Sequence, residues 1–223
     1  MLFHSIQGAG GFSPPPTYNY ITNVNNTANQ SSYTFTGASI GTAAANRIVV
    51  AVVHFSFTND TVDINSVTLG GTAMNLAVKA QTGSNMAGIY TLPVSSGTTA
   101  NIVVNGNVTG TRCNVFIYSI YGLNSETPSD TDSMSGINIF TGSISLNTLS
   151  AGIVIATVNA STSPATDVTW TGVTSNASIN SETTRRVSCG STQTSTATNL
   201  TVTATRVGNQ TSGVFGIVGA TFR

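Results

Sequence analysis

Hydrophobic and polar residues alternate in short stretches along most of the chain, with the period of two that is typical of β-strands. Residues 48–53 are uniformly apolar and mostly β-branched, which predicts a strand buried on both faces. Further strands are predicted at residues 54–57, 66–69, 86–92, 101–104, 114–120, 137–140, 152–158, 168–170, 186–189, 199–204 and 214–222. Turn-forming residues separate these stretches, and no window of twelve residues has a sustained helical period. The pattern predicts an all-β sandwich or barrel.

Five short segments recur in the same order about 100 residues later. Residues 35–40, 48–51, 67–71, 100–104 and 115–116 resemble residues 140–144, 153–156, 168–172, 198–202 and 214–215. The offset drifts between 98 and 105 residues, as loop insertions and deletions produce, although convergent strand composition is an alternative explanation. We therefore expect a jelly-roll-like antiparallel β-sandwich built from two related halves of about 100 residues. The halves span about 31–123 and 136–223.

The repeat leaves two architectures open, which are one sandwich made of both halves and two tandem sandwiches. A single sandwich is preferred, because it spares each half an exposed edge of unpaired backbone groups. In this interpretation residues 18–223 form one β-sandwich domain, and residues 1–17 lie outside it.

Residues 1–17 differ from the rest of the chain and predict an extended N-terminal arm. Residues 8–11 are glycine-rich, and Pro14, Pro15 and Pro16 favour a stiff polyproline II segment. The apolar residues of this segment are Leu2, Phe3, Ile6 and Phe12. We expect the arm to bind a neighbouring protein, with a disordered tail as the alternative. The first residues have neither the basic start nor the apolar run of a signal peptide.

The chain carries very little charge. Charged residues make up 6% of it, against about 25% in an average soluble protein. Seven acidic and seven basic residues cancel. A nucleic-acid partner or an anionic membrane surface requires clustered lysine and arginine, so both are predicted to be absent. No stretch approaches the roughly 18 apolar residues of a membrane span. A chain with so little charge is expected either to be part of a permanent assembly or to have a surface that neutral hydroxyl and amide groups keep solvated.

Groups that could carry catalysis are scarce. His54 is the only histidine in the body, and it directly follows a predicted buried strand, so a structural role is expected. Two pairs of acids, Asp60 with Asp63 and Asp130 with Asp132, favour turn chemistry, with calcium binding or glycoside hydrolysis as alternatives. Neither a metal-spaced Cys/His cluster nor a phosphate-binding loop is present. The sequence predicts no cofactor, no metal and no catalytic residue, and therefore a protein that is not an enzyme.

Three further features each have two interpretations. Arg185 and Arg186 form the only basic pair, which can contact a partner's carboxylates at an interface or blunt an exposed strand edge. Trp170 could be part of a sugar-binding platform with the tyrosines, but its repeat position, held by a leucine in the first half, favours core packing. Cys113 and Cys189 are expected to be separate buried thiols, with one disulfide as the alternative.

Three stretches of the chain, residues 46–50, 66–74 and 89–100, together with the glycine-rich segment 7–11, resemble virion proteins of tailed bacteriophages. Those proteins are β-sandwiches or jelly rolls that decorate capsids or build fibres, and a related pattern occurs in modules of bacterial surface proteins. The resemblance implies a capsid decoration, or cement, protein on the outer capsid surface of the virion. Its implied partners are the major capsid protein and copies of itself in a homotrimer.

Two alternative functions stay open beside this one. One is a tail or head fibre protein that binds host surface glycans, and the other is a hydrolase that acts on polysaccharide. The phage modules share no agreed catalytic residues, so the resemblance assigns none to this chain.

Overall fold

A computed structural model of the protein describes residues 14–57, 62–123, 125–161, 165–208 and 213–223. These residues form sixteen β-strands, all paired antiparallel, and they contain no helix. It follows that none of them belongs to a helix long and apolar enough to cross a membrane. The prediction of an all-β fold of antiparallel sheets in two related halves is confirmed.

The first half contains eight strands. Their bounds are β1 Thr17–Asn26, β2 Gln30–Ser39, β3 Arg47–Phe57, β4 Ile64–Leu69, β5 Thr72–Ala73, β6 Asn75–Thr82, β7 Asn85–Pro93 and β8 Thr99–Tyr121. The long strand β8 joins two layers, because its first part pairs with β2 and β4 whereas its last part pairs with β3 and β1. The layer that faces the second half therefore has the order β6-β7-β3-β8-β1.

The second half repeats this plan. Its strands are β9 Asp130–Ile137, β10 Thr141–Thr148, β11 Ile153–Ser161, β12 Val168–Thr171, β13 Thr174–Glu182, β14 Arg185–Gln193, β15 Thr198–Arg206 and β16 Val214–Phe222. One sheet has the order β13-β14-β11-β16-β9 and the other has the order β10-β15-β12. The five-stranded order matches that of the first half strand for strand, which supports the sequence repeat.

Buried apolar side chains form three clusters. One lies within the first half and one within the second, each enclosed by that half's two layers. The third lies between the halves and is built from the five-stranded layers of both. The central strands β3 and β11 contribute alternate residues to two clusters, so that Val49 packs inside the first half whereas Val50 packs against the second. Their uniformly apolar sequences follow from burial on both faces.

The observed strands differ from the predicted ones in a few places. The strand predicted at 137–140 is wrong, because β9 ends at Ile137 and Asn138 has a φ of 59°, which breaks the strand. The predicted strands 101–104 and 114–120 are parts of the single strand β8. Gly110 lets β8 cross Phe55 closely, since a Cβ at this glycine would lie 2.1 Å from the phenylalanine ring.

The pattern did not predict β1, β2, β5, β6, β10 or β13, and of β9 it included only Ile137. Each of these strands pairs with a single neighbour and so lies at an edge of its sheet. In β1, β6 and β13 partly buried residues follow one another without a clear alternation of apolar and polar positions, which explains why the pattern missed these three.

Candidate functional site

The predicted arm enters the folded body at Pro16. Leu2, Phe3, Ile6 and Phe12 lie outside the described residues. Pro14 and Pro15 are exposed, whereas Pro16 is buried, and β1 begins at the next residue. The junction between arm and body therefore lies one residue before the first strand.

Both halves of the protein hold this junction. The side-chain amide of Gln193, the last residue of β14, donates a hydrogen bond of 2.7 Å to the carbonyl of Pro16. The same amide nitrogen lies 3.3 Å from the carbonyl oxygen of Ala151. On the side of the first half, Gly122 has a φ of 77°, and a Cβ built on it would lie 3.7 Å from Pro16 Cα. The junction is therefore hydrogen-bonded to the second half, and it continues directly into β1, which pairs with β8 of the first half.

Two shallow grooves flank the junction. One, of about 290 Å³, is lined by Pro15, Ala151 and residues 193–195. The other, of about 240 Å³, is lined by residues 45–48, Pro93, Leu123, Ser125 and Glu126. The junction face therefore combines apolar side chains with neutral polar groups, the carboxylate of Glu126 and the guanidinium of Arg47.

Arg47 makes this end of the molecule rigid. Its side chain is 1% exposed, and its three guanidinium nitrogens donate hydrogen bonds only to backbone carbonyls. The acceptors are the carbonyls of Ile40, Gly41, Val94, Ser96 and Gly97, at 2.7 to 3.4 Å. They belong to the β2–β3 and β7–β8 loops. The guanidinium thus ties together two loops that lie about 50 residues apart in sequence.

Replacing Gln193 with alanine is expected to loosen the junction without unfolding the body. The loss of one hydrogen bond should lower the free energy of unfolding by about 1 kcal/mol. Amide hydrogen exchange at Thr17 and Tyr18 should become faster, while exchange in β3 should not change. The matched control is Ser195→Ala, because this neighbouring residue is also exposed. Equal rates of amide hydrogen exchange at Thr17 and Tyr18 in both variants would show that Gln193 does not hold Pro16.

Arg185 and Arg186 are bound within the chain. Arg185 pairs with Glu182, which also lies 3.0 Å from Arg112 of the first half. Arg186 pairs with Asp167 at 3.0 Å. The interpretation that they blunt an exposed edge is wrong, because β14 lies between β13 and β11 and the two side chains are 11% and 18% exposed. A role at an interface with a partner stays a prediction.

The acidic pair Asp130 and Asp132 protects a sheet edge. Asp132 accepts a hydrogen bond of 2.8 Å from the backbone N–H of Ser145, and Asp130 accepts one of 2.7 Å from that of Asn147. Both donors lie on β10, at the edge of its three-stranded sheet. The carboxylates thus occupy N–H groups that another strand could otherwise use. Backbone N–H donors at a carboxylate favour this role over calcium binding.

The remaining acids are dispersed. Asp63 pairs with Lys79, and Asp60 lies outside the described residues. Asp167, which pairs with Arg186, also accepts a hydrogen bond from the backbone N–H of Val168, and its pKa is lowered: burial raises it, but the hydrogen bonds and the guanidinium outweigh that effect. Across the described ranges, no group of three His, Cys, Asp or Glu side chains could hold a metal ion.

His54 lies between the two halves. Its Nε2 is 2.6 Å from the hydroxyl of Thr157, and that hydroxyl donates to the carbonyl of Ser188 at 2.8 Å. The hydroxyl proton of Thr157 is therefore engaged in the hydrogen bond to Ser188. The hydroxyl can only accept from His54, so Nε2 of His54 must carry the ring proton. Burial lowers the pKa of His54 to about 3, and the positive charge of Arg185 adds to the effect. The hydrogen-bond partner of His54 is therefore a hydroxyl group of the second half, which agrees with the structural role expected for this residue.

The aromatic side chains do not form an exposed platform at Trp170. Trp170 is half-buried against the core of the second half, and its indole N–H donates to Ser188 Oγ at 2.9 Å. Tyr118 is buried between the halves, and its hydroxyl donates to Asn176 at 3.0 Å. These positions agree with core packing.

The two cysteines are free and buried in different clusters. Cys113 belongs to the core of the first half, whereas Cys189 belongs to the cluster between the halves. Burial raises the pKa of the Cys113 thiol and raises that of Cys189 to about 12. The prediction of separate buried thiols is confirmed.

Comparison with known proteins gives only distant similarities. No protein-family model matches the chain. The search of curated proteins found no match either. A conserved protein of unknown function from Pseudomonas aeruginosa PAO1 is similar at 8% identity, with a TM-score of 0.31, over 96% of this chain and 86% of that one.

Two further solved structures are also similar at low TM-scores. The PBSX exported protein XepA is 12% identical with a TM-score of 0.22, over 92% of this chain and 86% of that one. A triple jelly-roll protein from the turret of an archaeal virus is 12% identical with a TM-score of 0.23, over 90% of this chain and 58% of that one. TM-scores this low do not establish a common fold.

Proposed function

We propose that the protein is a non-enzymatic structural protein of a phage virion, and specifically a capsid decoration protein. Its double β-body would sit on the outer capsid surface as a homotrimer, and its N-terminal arm would bind the major capsid protein. The observation that carries the proposal is the arm junction, where Pro16 is held by Gln193 of the second half and lies against Gly122 of the first.

The mechanism follows from the apolar residues of the arm. Burying a phenylalanine, leucine or isoleucine side chain in a capsid subunit contributes about 1.5–3 kcal/mol. Three linked arms bind with an avidity that exceeds the affinity of one arm, provided that all three sites can be reached together. The body would then bridge neighbouring capsid subunits and resist their separation.

The charge-poor body supports the same proposal. Among the described residues, three of the six acidic side chains, Asp63, Asp167 and Glu182, form ion pairs within the chain. A body with so few charges has little long-range electrostatic attraction for any particular partner. The arm would therefore supply the specific contact with the capsid.

Deleting residues 1–13 tests the anchoring role. The deletion retains Pro14, Pro15 and Pro16, so that the junction is preserved and the thermal midpoint of the body should stay within about 2 °C of the wild type. We expect the occupancy of particles that lack the protein to fall at least tenfold when the truncated protein is added. Occupancy is measured by gel densitometry after sedimentation.

A matched variant separates apolar anchoring from arm length. In Phe3→Ser/Phe12→Ser the arm keeps its length but loses two apolar side chains, and it should bind about as poorly as the deletion. The variant Gln7→Ser is the control and should bind like the wild type. Full occupancy by the deleted protein would rule out the anchoring role.

A further inference from the structure

The interface between the two halves has an apolar end and a polar end. Its apolar end contains Ile48, Ile120, Ile153 and Phe222. Toward the other end of the two facing layers, the buried side chains become polar: His54, Asn85, Asn114, Thr157, Asn159 and Ser181. Because side chains alternate along a strand, His54 lies on the same face of β3 as Val50 and Val52, which pack against the second half.

Strand pairing brings these polar residues together. His54 lies opposite Asn114 on β8, and the next residue on this face of β3, Ser56, lies opposite Asn85 on β7. In the other half, Asn159 of β11 lies between Val187 and Gly216 of its neighbouring strands. The polar end is therefore a continuous layer that both halves contribute.

This layer is poorly hydrogen-bonded within the part of the chain that the structure describes. The buried atoms without a partner include His54 Nδ1, the Oδ1 atoms of Asn85, Asn114 and Asn159, Asn159 Nδ2, Ser181 Oγ and Arg185 Nε. Most buried polar groups in proteins are paired, and an unpaired group is destabilising. The polar layer is consequently the weakest part of the contact between the halves.

His54 is the group in this layer whose charge can change under mild acid. Its Nε2–H binds Thr157, which leaves Nδ1 as a bare acceptor that would have to take up any added proton. A proton on Nδ1 would place a positive charge on a nitrogen that makes no hydrogen bond to any described group. The charged groups that face this end are Arg112 of β8, Glu182 of β13 and Arg185 of β14, so two cations already share one anion.

The other strands around His54 contribute no titratable group to the layer. Their facing residues are Ser56 of β3, Thr82 of β6, Asn85 of β7, Asn159 of β11 and Gly216 of β16. Protonation of His54 would therefore add a third cation to a site that has no carboxylate other than Glu182 among the described residues.

The chain connection permits the polar end to open by itself. Residues 122–129 join β8 to β9 at the apolar end of the interface. Asn114 lies seven residues before the end of β8, which is about 23 Å away at the usual rise of a strand. The halves can thus part at the polar end while the connection and the apolar end stay in place.

We propose that the polar end of the inter-half interface is an acid-sensitive seam, which opens when His54 takes up a proton while each half retains its own core. In the closed form the pKa of His54 is lowered to about 3, and in the open form it should return toward 6.5. The stabilising contribution of the neutral ring is complete above pH 6.5 and is lost as the pH falls toward 3. One proton shifts the equilibrium by up to about tenfold per pH unit in this window, or about 50-fold between pH 6.5 and 4.5.

The two free thiols provide the test. Cys189 lies at the interface, whereas Cys113 lies inside the first half. The full chain is treated with 4,4′-dithiodipyridine, which reacts with thiols in acid, and mass spectrometry identifies the labelled cysteine. Rates are normalised to those of a cysteine peptide at the same pH. We expect the labelling rate of Cys189 to rise at least tenfold between pH 6.5 and 4.5, with little change at Cys113.

The matched variant is His54→Gln, which keeps a donor for Thr157 but cannot take up the proton. In this variant the labelling rate of Cys189 should not depend on pH between 6.5 and 5. A rise as steep as in the wild type would assign the opening to carboxylates and overturn the proposal. Equal acceleration at Cys113 and Cys189 in the wild type would show global unfolding and overturn it as well.

A second measurement does not depend on a variant at position 54. Nitrogen-15 spectra of the imidazoles report tautomer and protonation, and His4→Gln assigns the two histidine signals. We expect the His54 ring to carry its proton on Nε2 and to stay neutral at pH 5.5 in the closed protein. An imidazole that titrates near pH 6.5 with both thiols still protected would contradict the proposal.

Discussion

Replacing Arg47 with methionine is expected to lower the free energy of unfolding by about 3–5 kcal/mol. The side chain donates to five backbone carbonyls and is 1% exposed, so its removal leaves buried acceptors of the β2–β3 and β7–β8 loops without a donor. Arg47→Lys should recover only part of the loss, because an ammonium group cannot reproduce the planar fork of the guanidinium. The measurement is denaturant unfolding followed by circular dichroism.

The matched control is Lys79→Met, in which a cation is also replaced by methionine. Lys79 is 30% exposed and pairs with Asp63, so its loss should lower the free energy of unfolding by less than about 1 kcal/mol. A change of that small size in Arg47→Met would mean that water satisfies the carbonyls just as well and that Arg47 does not clamp the loops.

Replacing Phe222 with alanine should destabilise the contact between the halves by about 3–5 kcal/mol. The side chain is fully buried in the inter-half cluster, at the end opposite to the polar layer. Since each half has its own core, we expect the loss to separate the unfolding of the two halves. Trp170 is the only tryptophan and lies in the second half, so its fluorescence reports that half, whereas circular dichroism reports both.

In the wild type, the unfolding transitions followed by tryptophan fluorescence and by circular dichroism are expected to coincide. In Phe222→Ala they are expected to differ. Leu76→Ala is the control, because Leu76 is 48% exposed and its truncation should change the free energy of unfolding by about 0.5 kcal/mol or less. If the two probes coincide in Phe222→Ala with an undiminished midpoint, the inter-half cluster does not couple the halves.

The repeat shows how far local pattern can predict this architecture. Residues 48–51 and 153–156 were matched from sequence, and they occupy equivalent places in the central strands β3 and β11. The match of residues 115–116 was displaced by three positions, because strand pairing places Val115 opposite Val53 and Ile217 opposite Val158. Short apolar segments resemble one another at several offsets, whereas backbone pairing allows one register.

The candidate sites also differ in whether the local sequence indicates them or only the fold brings their residues together. The polyproline segment before the first strand was evident from composition, because proline restricts the backbone locally. The hydrogen bond by which Gln193 anchors Pro16 was not evident from composition, since these residues lie 177 positions apart. Arg185 and Arg186 were recognisable as a basic pair, but Asp167, the partner of Arg186, lies just before β12 and meets Arg186 only in the folded chain.

The charge-poor, alternating sequence by itself determined an all-β chain with a repeated strand plan, because strand formation and binary patterning depend on neighbouring residues. Only the tertiary structure decided which face of each strand meets which partner. Val49 and Val50 are chemically the same, yet they belong to different cores. His54 acquires its low pKa from burial against the second half, which removes the water that would solvate its charge, and from the positive charge of Arg185.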